Sequence, residues 1–372
     1  MVKICHITSV HNVEDDRIYV RECLSLAKNP QYDVIICGPG SDKDLGTVRV
    51  IGCGERENST KRRLFSYDKK LIKRALAQNA DIYHIHDPEL LLYAKQLKRR
   101  NAKVVFDSHE DYPEQIKTKE YIPSFLRNIV SIVYKTYENY ICRIIDAAIF
   151  PCLVEGKDIF DNRVKHHTLL NNAPVEKEIP EKDINRKKLG EYVFCGGGLT
   201  KDRGIEQLID GCYVAGVKLV IAGTFDDKNF EKHLKGKPSF SIVDYKGFCS
   251  RKEIMRLYKD AGLGASTLQK KGQYPKIWNL PTKVYEFMMY ELPFIISDFD
   301  YCKRVINEYD CGVIVDASDP CDIARGIREI VNNPEKALQM GRNGKRAIKK
   351  EFNWSIEEKK LYELYERLMS ED

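Results

Sequence analysis

Lys283 and Glu286 stand three residues apart in the string Asn279 to Pro293, N-L-P-T-K-V-Y-E-F-M-M-Y-E-L-P, just behind Pro281. Proline suits the first turn of a helix, where its missing N–H costs nothing. Both side chains then fall on one face near a helix N-terminus. Free N–H groups and the helix dipole favour an anion there, Lys283 adds a full charge beside Thr282, and a carboxylate one turn on can accept two neighbouring hydroxyls. Phosphate beside a diol describes a nucleotide; a solvated Lys/Glu pair is the plainer reading. The string G-G-G-L-T-K-D-R-G, from Gly196 to Gly204, bears on the choice. It is neither standard phosphate loop, since no Gly-Lys-Ser/Thr closes it and Lys201 occupies the third glycine position of the dinucleotide fingerprint. A turn at Gly197 and Gly198 still lets a ligand approach the backbone, and Arg203 can fork onto phosphate oxygens. Taken with Lys283, it makes a pyrophosphate clamp.

In the first half of the chain, polar residues gather where apolar runs stop. His84, His86 and Asp87 close one run, Asp107 to Asp111 (D-S-H-E-D, with His109 at its centre) close the next, and the loop behind the first run carries His11, Asp15, Asp16 and Arg17. A lone histidine is usually structural, but three strand-end clusters in one domain meet on one edge of the sheet and make a substrate rim. Histidines with carboxylates also suit zinc or manganese. No H-E-x-x-H or comparable spacing occurs, so no metal is expected. Asp298-Phe299-Asp300 reads as a plain loop.

The elements that position these residues alternate. Strand patterns at Val2 to Thr8, Tyr32 to Cys37, Asp81 to His84, Lys103 to Phe106 and Ala147 to Phe150 are separated by helical ones at Arg17 to Lys28, Tyr67 to Gln78, Pro88 to Arg99 and Pro123 to Ile144. The pattern restarts at Tyr192 to Cys195, Val217 to Ala222, Ser241 to Tyr245, Leu263 to Ser266, Phe294 to Ser297 and Gly312 to Val315. Alternation of this kind means parallel sheets covered on both faces. The expectation is α/β: two doubly wound, Rossmann-like domains facing a cleft, residues 1–172 and 191–352. A polar linker at 173–190 joins them, and a final helix at 353–372 packs back on the first domain. Ligands of such sheets bind at the carboxyl ends of the strands.

A chain of 372 residues fits two domains. Its 61 basic and 55 acidic residues nearly balance, which argues against a nucleic-acid-wrapping protein. Twelve cysteines scattered without a C-x-x-C pair fit a reduced, cytoplasmic setting, and no run is apolar enough to span a membrane. On the Pro123 to Ile144 pattern, Leu126, Ile129, Val130, Val133, Tyr137, Tyr140 and Ile144 form one stripe, which predicts a core helix. Flanking Lys117, Lys119 and Phe125, and the string Lys61 to Phe65, suit a peripheral contact with an anionic bilayer.

G-G-L-T-K-D-R-G-I-E-Q-L-I at Gly197 to Ile209 and L-P-T-K-V-Y-E-F at Leu280 to Phe287, in this two-half layout, resemble the retaining glycosyltransferases of family 4, with the GT-B fold. F-D-S-H-E-D-Y-P at Phe106 to Pro113 and H-I-H-D-P-E-L-L at His84 to Leu91 are similar to members that build bacterial capsule, exopolysaccharide and O-antigen. The resemblance implies transfer of a sugar from a nucleotide-sugar, UDP-linked, to a lipid-linked or growing glycan acceptor. It implies that Arg203 and Lys283 hold the donor pyrophosphate, with Gly197, Gly198 and Thr282 around it. Glu286 would hold the ribose hydroxyls, Phe248 would lie near the base, and His109 would face the transferred sugar, with His11, Asp16 and His86 on the acceptor side. No cofactor and no obligatory metal are implied, because fixed cations stabilise the leaving group. Two positions depart from the family pattern: Gly198 stands where arginine is common, and Trp278 stands where the first glutamate of E-x7-E touches the donor sugar, leaving Tyr274, Lys276 or Asn279 to substitute. A nucleotide-sugar epimerase and a catalytically silent donor-binding subunit are the alternatives.

Overall fold

The computed structural model describes residues 1–57, 59, 62–98, 101–119, 122–180 and 189–370. They form two units, one of Met1–Asn172 with the C-terminal segment from Trp354, the other of Ala173–Asn353. Residues 181–188 of the expected linker, Lys61 of the basic string, Arg99 and the last two residues of the final helix lie outside the described set.

The first unit is built on β1 (Val2–Ile7), β2 (Tyr32–Gly38), β3 (Lys43–Asp44), β4 (Val48–Gly52), β5 (Ile82–Ile85), β6 (Lys103–Asp107), β7 (Ala147–Phe150) and β8 (His166–Leu169). Their order across the sheet is β3-β4-β2-β1-β5-β6-β7-β8, with β3 antiparallel to β4 and the other pairings parallel. Ile4 pairs with Val34 on one side and Ile82 on the other, and the central strands are largely apolar and buried, with His6 and His84 buried among them. This order brings the ends of β1, β5 and β6 side by side.

Several local expectations need correction. The stretch after β1 is not a long α-helix but α1 (Asp16–Cys23), wound in π-type turns and continued by Leu24–Leu26. Asp15 caps it by accepting from the N–H groups of Arg17 and Ile18. Strands β3, β4 and β8 were not foreseen, and Ser241 to Tyr245 is a 3₁₀ turn, Pro238–Ile242, leading into a shorter strand. The largest correction concerns α2 (Ser124–Cys142). Its predicted core stripe faces outward, leaving Leu126, Ile129, Val130, Val133 and Tyr140 exposed. The opposite face is held inward by polar bonds: Ser131 Oγ donates to the Pro113 carbonyl at 2.7 Å, and the buried Glu138 carboxylate pairs with Arg163.

The second unit has β9 (Tyr192–Gly196), β10 (Lys218–Ala222), β11 (Val243–Tyr245), β12 (Leu263–Ser266), β13 (Phe294–Ser297) and β14 (Gly312–Val315), in the order β11-β10-β9-β12-β13-β14 and all parallel. Helices α3 (Ile205–Ala215), α4 (Arg251–Asp260) and α5 (Thr282–Met289) position its functional groups. A capping box of Ser250 and Glu253 starts α4. Pro281 proves to be the cap of α5 rather than its first residue. Val284, Phe287 and Met288 bury one face of α5, and Glu291 lies beyond the helix end in a left-handed conformation, φ 52°, where its carboxylate pairs with Lys345. The chain closes with α6 (Trp354–Ser370), whose buried face includes Trp354, Leu361, Leu364, Tyr365 and Leu368.

Candidate functional site

In the second unit the predicted clamp residues gather at the strand ends. Gly197 sits at φ 106°, and a side chain added to it would meet Arg203 Nη1 at 3.0 Å, so the guanidinium lies over the glycine turn. A side chain at Gly198 would also contact Arg203, at 3.7 Å from Nε, and one at Gly223 would strike the Gly197 carbonyl oxygen at 1.8 Å. Glycine is needed at Gly223 for that close approach. The Gly223 N–H donates to the Gly247 carbonyl at 2.7 Å, which brings the loop bearing Phe248 beside the turn. The Phe248 ring is 85% exposed, so it is available to a ligand rather than to the core.

Lys283, in the first turn of α5, is buried with Nζ 3.6 Å from Cys195 Sγ at the end of β9. Among the described residues no carboxylate pairs with Lys283 or with Arg203. A buried lysine without a counter-charge is costly, and an anion at the α5 N-terminus would remove that cost. Thr282 is exposed beside it. One turn on, Glu286 accepts from Tyr258 Oη on one oxygen and pairs with Arg251 Nη1 on the other. Burial, then the Glu286 charge, pushes the Tyr258 phenol well up, so it stays protonated and donates. A carboxylate offers about four lone-pair sites, which leaves room for a diol. Arg251 and Tyr258 escaped sequence reasoning; both come from α4, and only its capping box marks where that helix starts.

Trp278 is partly exposed, its ring 6.4 Å from that of Tyr301. Of the substitutes considered for the missing glutamate, Asn279 accepts from Tyr285 Oη at 2.6 Å and Tyr274 packs against the core. Asp298 accepts from Lys270 at 2.8 Å, while Asp300 begins a helix.

The first unit places three of its histidines, His11, His86 and His109, around two aspartates. Asp107, at the end of β6, takes a two-pronged bond from Arg17, Nε and Nη2 each at 2.7 Å, and lies 3.1 Å from His109 Nε2 and 3.2 Å from His86 Nδ1. Burial pushes its carboxyl up, but Arg17 and His109 outweigh that and hold it well below the usual range. Arg17 also donates to the Leu170 carbonyl and to Asn172. Asp87, behind β5, accepts from Thr8 Oγ1, the Ser9 N–H and His11. Burial opposes ionisation there too, yet the His11 ring with these donors brings the carboxyl down to about 2. His11 and His109 stand with ring centroids 4.6 Å apart.

His11, His86 and His109 therefore come together as predicted from their strand ends. Asp16 does not: it is exposed at the start of α1, and its backbone carbonyl accepts from Arg21. Arg17, its neighbour, joins the cluster instead. Two groups, His6 with Glu22, His84 and His86, and His86 with Asp107 and His109, are close enough to share an ion. Arg17 already brings a fixed positive charge to both, 3.4 Å from Glu22 and 2.7 Å from Asp107, which disfavours a second cation.

Each unit is a doubly wound sheet that matches a glycosyltransferase family model, which defines the class: the chain is built from two glycosyltransferase domains of the GT-B architecture. Residues 18–168 match the family described as Glycosyltransferase Family 4, and residues 175–347 match Glycosyl transferases group 1. An uncharacterised glycosyltransferase of Methanocaldococcus jannaschii is 25% identical over 202 residues, 52% of this chain and 49% of that protein. The match thus spans about half the length of that curated relative. In fold, the chain is similar to sucrose-phosphate synthase of Thermosynechococcus elongatus, with TM-score 0.74, 16% identity and all of both chains covered. It is also similar to Anabaena HepE crystallised with UDP-glucose, with TM-score 0.67, 15% identity, 99% of this chain and 100% of that one.

Proposed function

We propose that the protein transfers a sugar from a UDP-linked donor to a lipid-linked or growing glycan acceptor, with retention of anomeric configuration and at the cytoplasmic side of a membrane. The observation that carries this reading is the pair of cations without carboxylate partners among the described residues, Arg203 over the glycine turn and Lys283 at the α5 N-terminus, one turn from Glu286. Pyrophosphate satisfies the cations, the ribose diol takes the free lone pairs of Glu286, and Phe248 meets the base. The HepE complex, in which a protein of similar fold holds UDP-glucose, favours UDP as the nucleotide.

As the bond from sugar to phosphate breaks, negative charge grows on the pyrophosphate, where fixed cations in a partly desolvated site stabilise it most. The departing phosphate oxygen accepts the proton of the attacking hydroxyl, so no protein nucleophile is needed. His109, kept in place by Asp107, is assigned to the transferred sugar, and His11 and His86 to the acceptor side.

Incubation with UDP-sugars tests the proposal. Rapid UDP release that depends on a glycan-lipid acceptor and persists in EDTA is expected. Interconversion of the sugar without acceptor would instead identify an epimerase, and loss of activity restored by manganese would overturn the metal-free mechanism.

A further inference from the structure

Helix α2 is amphipathic the wrong way round for a helix in water. At about 100° per residue, Phe125, Leu126, Ile129, Val130, Ile132, Val133 and Tyr140 fall within an arc of roughly 160°. That arc faces solvent: Phe125 is 77% exposed, Ile132 65%, Val133 63% and Ile129 57%. The face turned to the unit carries Ser131 and Glu138, both buried and both bonded, with Ile141 and Cys142 buried only in its last turn. Burial of one buried apolar stripe is what ordinarily holds a surface helix down, so a helix held down by its polar side has its apolar side free for another partner.

The surrounding charge says which partner. The only acidic residue on α2, Glu138, is buried and neutralised by Arg163. Lys135 is exposed on its flank and Arg143 just past its C-terminal end, Lys119 precedes it, Lys117 is already paired with Glu114, and Lys95 Nζ lies 4.8 Å from the centre of the Tyr140 ring. Exposed aromatic and aliphatic side chains bordered by cations fit the boundary between acyl chains and anionic headgroups. With 19 residues α2 is about 28 Å long. No helix among the described residues is long and apolar enough to cross a membrane, so α2 would lie in the plane of the surface.

We propose that the outward face of α2 docks the protein on an anionic lipid bilayer. This gives the lipid-linked acceptor of the proposed function a physical route to the enzyme, but the docking itself needs neither donor nor acceptor. Charge alone, as on the Arg62 to Phe65 string, does not define such a face; the apolar arc of α2 does.

Vesicle co-sedimentation tests it, with phosphatidylcholine alone and with about one phosphatidylglycerol in three lipids, where each Lys or Arg near the surface adds to binding. The wild-type protein is expected to bind the anionic vesicles at least tenfold more tightly. Replacing Phe125, Ile129 and Val133 together by serine should abolish binding to both, and the charge reversals Lys135→Glu with Arg143→Glu should remove only the preference for phosphatidylglycerol. UDP affinity, measured on the same preparations, reports folding and the nucleotide site separately, so a protein that binds vesicles but not UDP sinks the transferase reading alone. Absence of vesicle binding by the wild type, or unchanged binding by the serine triple variant, overturns the docking. A wild-type dimer in light scattering that the triple variant dissociates, without vesicle binding, would make the face a contact between copies instead.

Discussion

Glu286 is held on both oxygens, by Arg251 and by Tyr258, and in the proposed function its remaining lone pairs take the ribose diol. Glu286→Ala is expected to weaken UDP binding about 10- to 100-fold, the loss of charge-assisted hydrogen bonds worth roughly 1.5–3 kcal/mol. Tyr258→Phe, which leaves the carboxylate but removes its fixed donor, should cost only a few-fold; calorimetric titration with UDP separates the two. His109→Ala touches different physics. Asp107 keeps Arg17 and His86, so the fold survives, and UDP affinity should stay within a few-fold while turnover falls about a hundredfold. Near-normal turnover per folded molecule would remove His109 from the chemistry. Asp68 supplies a pH dependence: both its carboxylate oxygens are buried without hydrogen-bond partners among the described residues, and burial, then the Glu89 charge, pushes it up to about 7. A carboxyl raised in the folded state favours folding below its unfolded value and loses that advantage as pH rises through the folded one. Melting curves should therefore show Asp68→Asn matching the wild type near pH 4 and exceeding it near pH 8.

At the scale of elements, the strands were legible because each is a short apolar run closed by polar residues, and β1, β5, β6, β9 and β13 all fall where that pattern puts them. Strand β8 was not, since H-H-T-L at a sheet edge has no apolar run to read. Lys283 and Glu286 were readable from three-residue spacing, whereas Arg251 and Tyr258 reach Glu286 from 35 and 28 positions earlier in the chain, a distance no local pattern encodes. Helix α2 was misread for the opposite reason: periodicity reports that a stripe exists but not which way the tertiary bonds turn it. The final helix was placed on the first domain by expectation, and its contacts now state what it does there. Trp354 Nε1 donates to Ser25 Oγ at 2.8 Å, Tyr362 Oη donates to the Ser25 carbonyl, and Tyr365 Oη lies 2.8 Å from His84 Nδ1. Trp354→Ala should cost the first unit about 3–5 kcal/mol. Urea melts followed by proteolysis should show that unit opening earlier, with UDP affinity unchanged.

Across the whole molecule, the proposed nucleotide contacts all lie within Ala173–Asn353, which is continuous in sequence and has its own apolar clusters on both sides of its sheet. Expressed alone, that stretch should fold and bind UDP within a few-fold of the full chain while showing no transfer; failure to bind would mean the nucleotide site needs groups from elsewhere. The first unit has no such independence, because its helix α6 is made only after the whole of Ala173–Asn353. Until Trp354 and Tyr365 leave the ribosome, Ser25 and His84 lack the partners that cover them, and all of Ala173–Asn353 must be synthesised in between. At about 5–20 residues per second that is a delay on the order of tens of seconds. The domain that begins first therefore finishes second, and for that interval its sheet carries an uncovered face, the state most exposed to chaperones, proteases and misassembly with neighbouring chains.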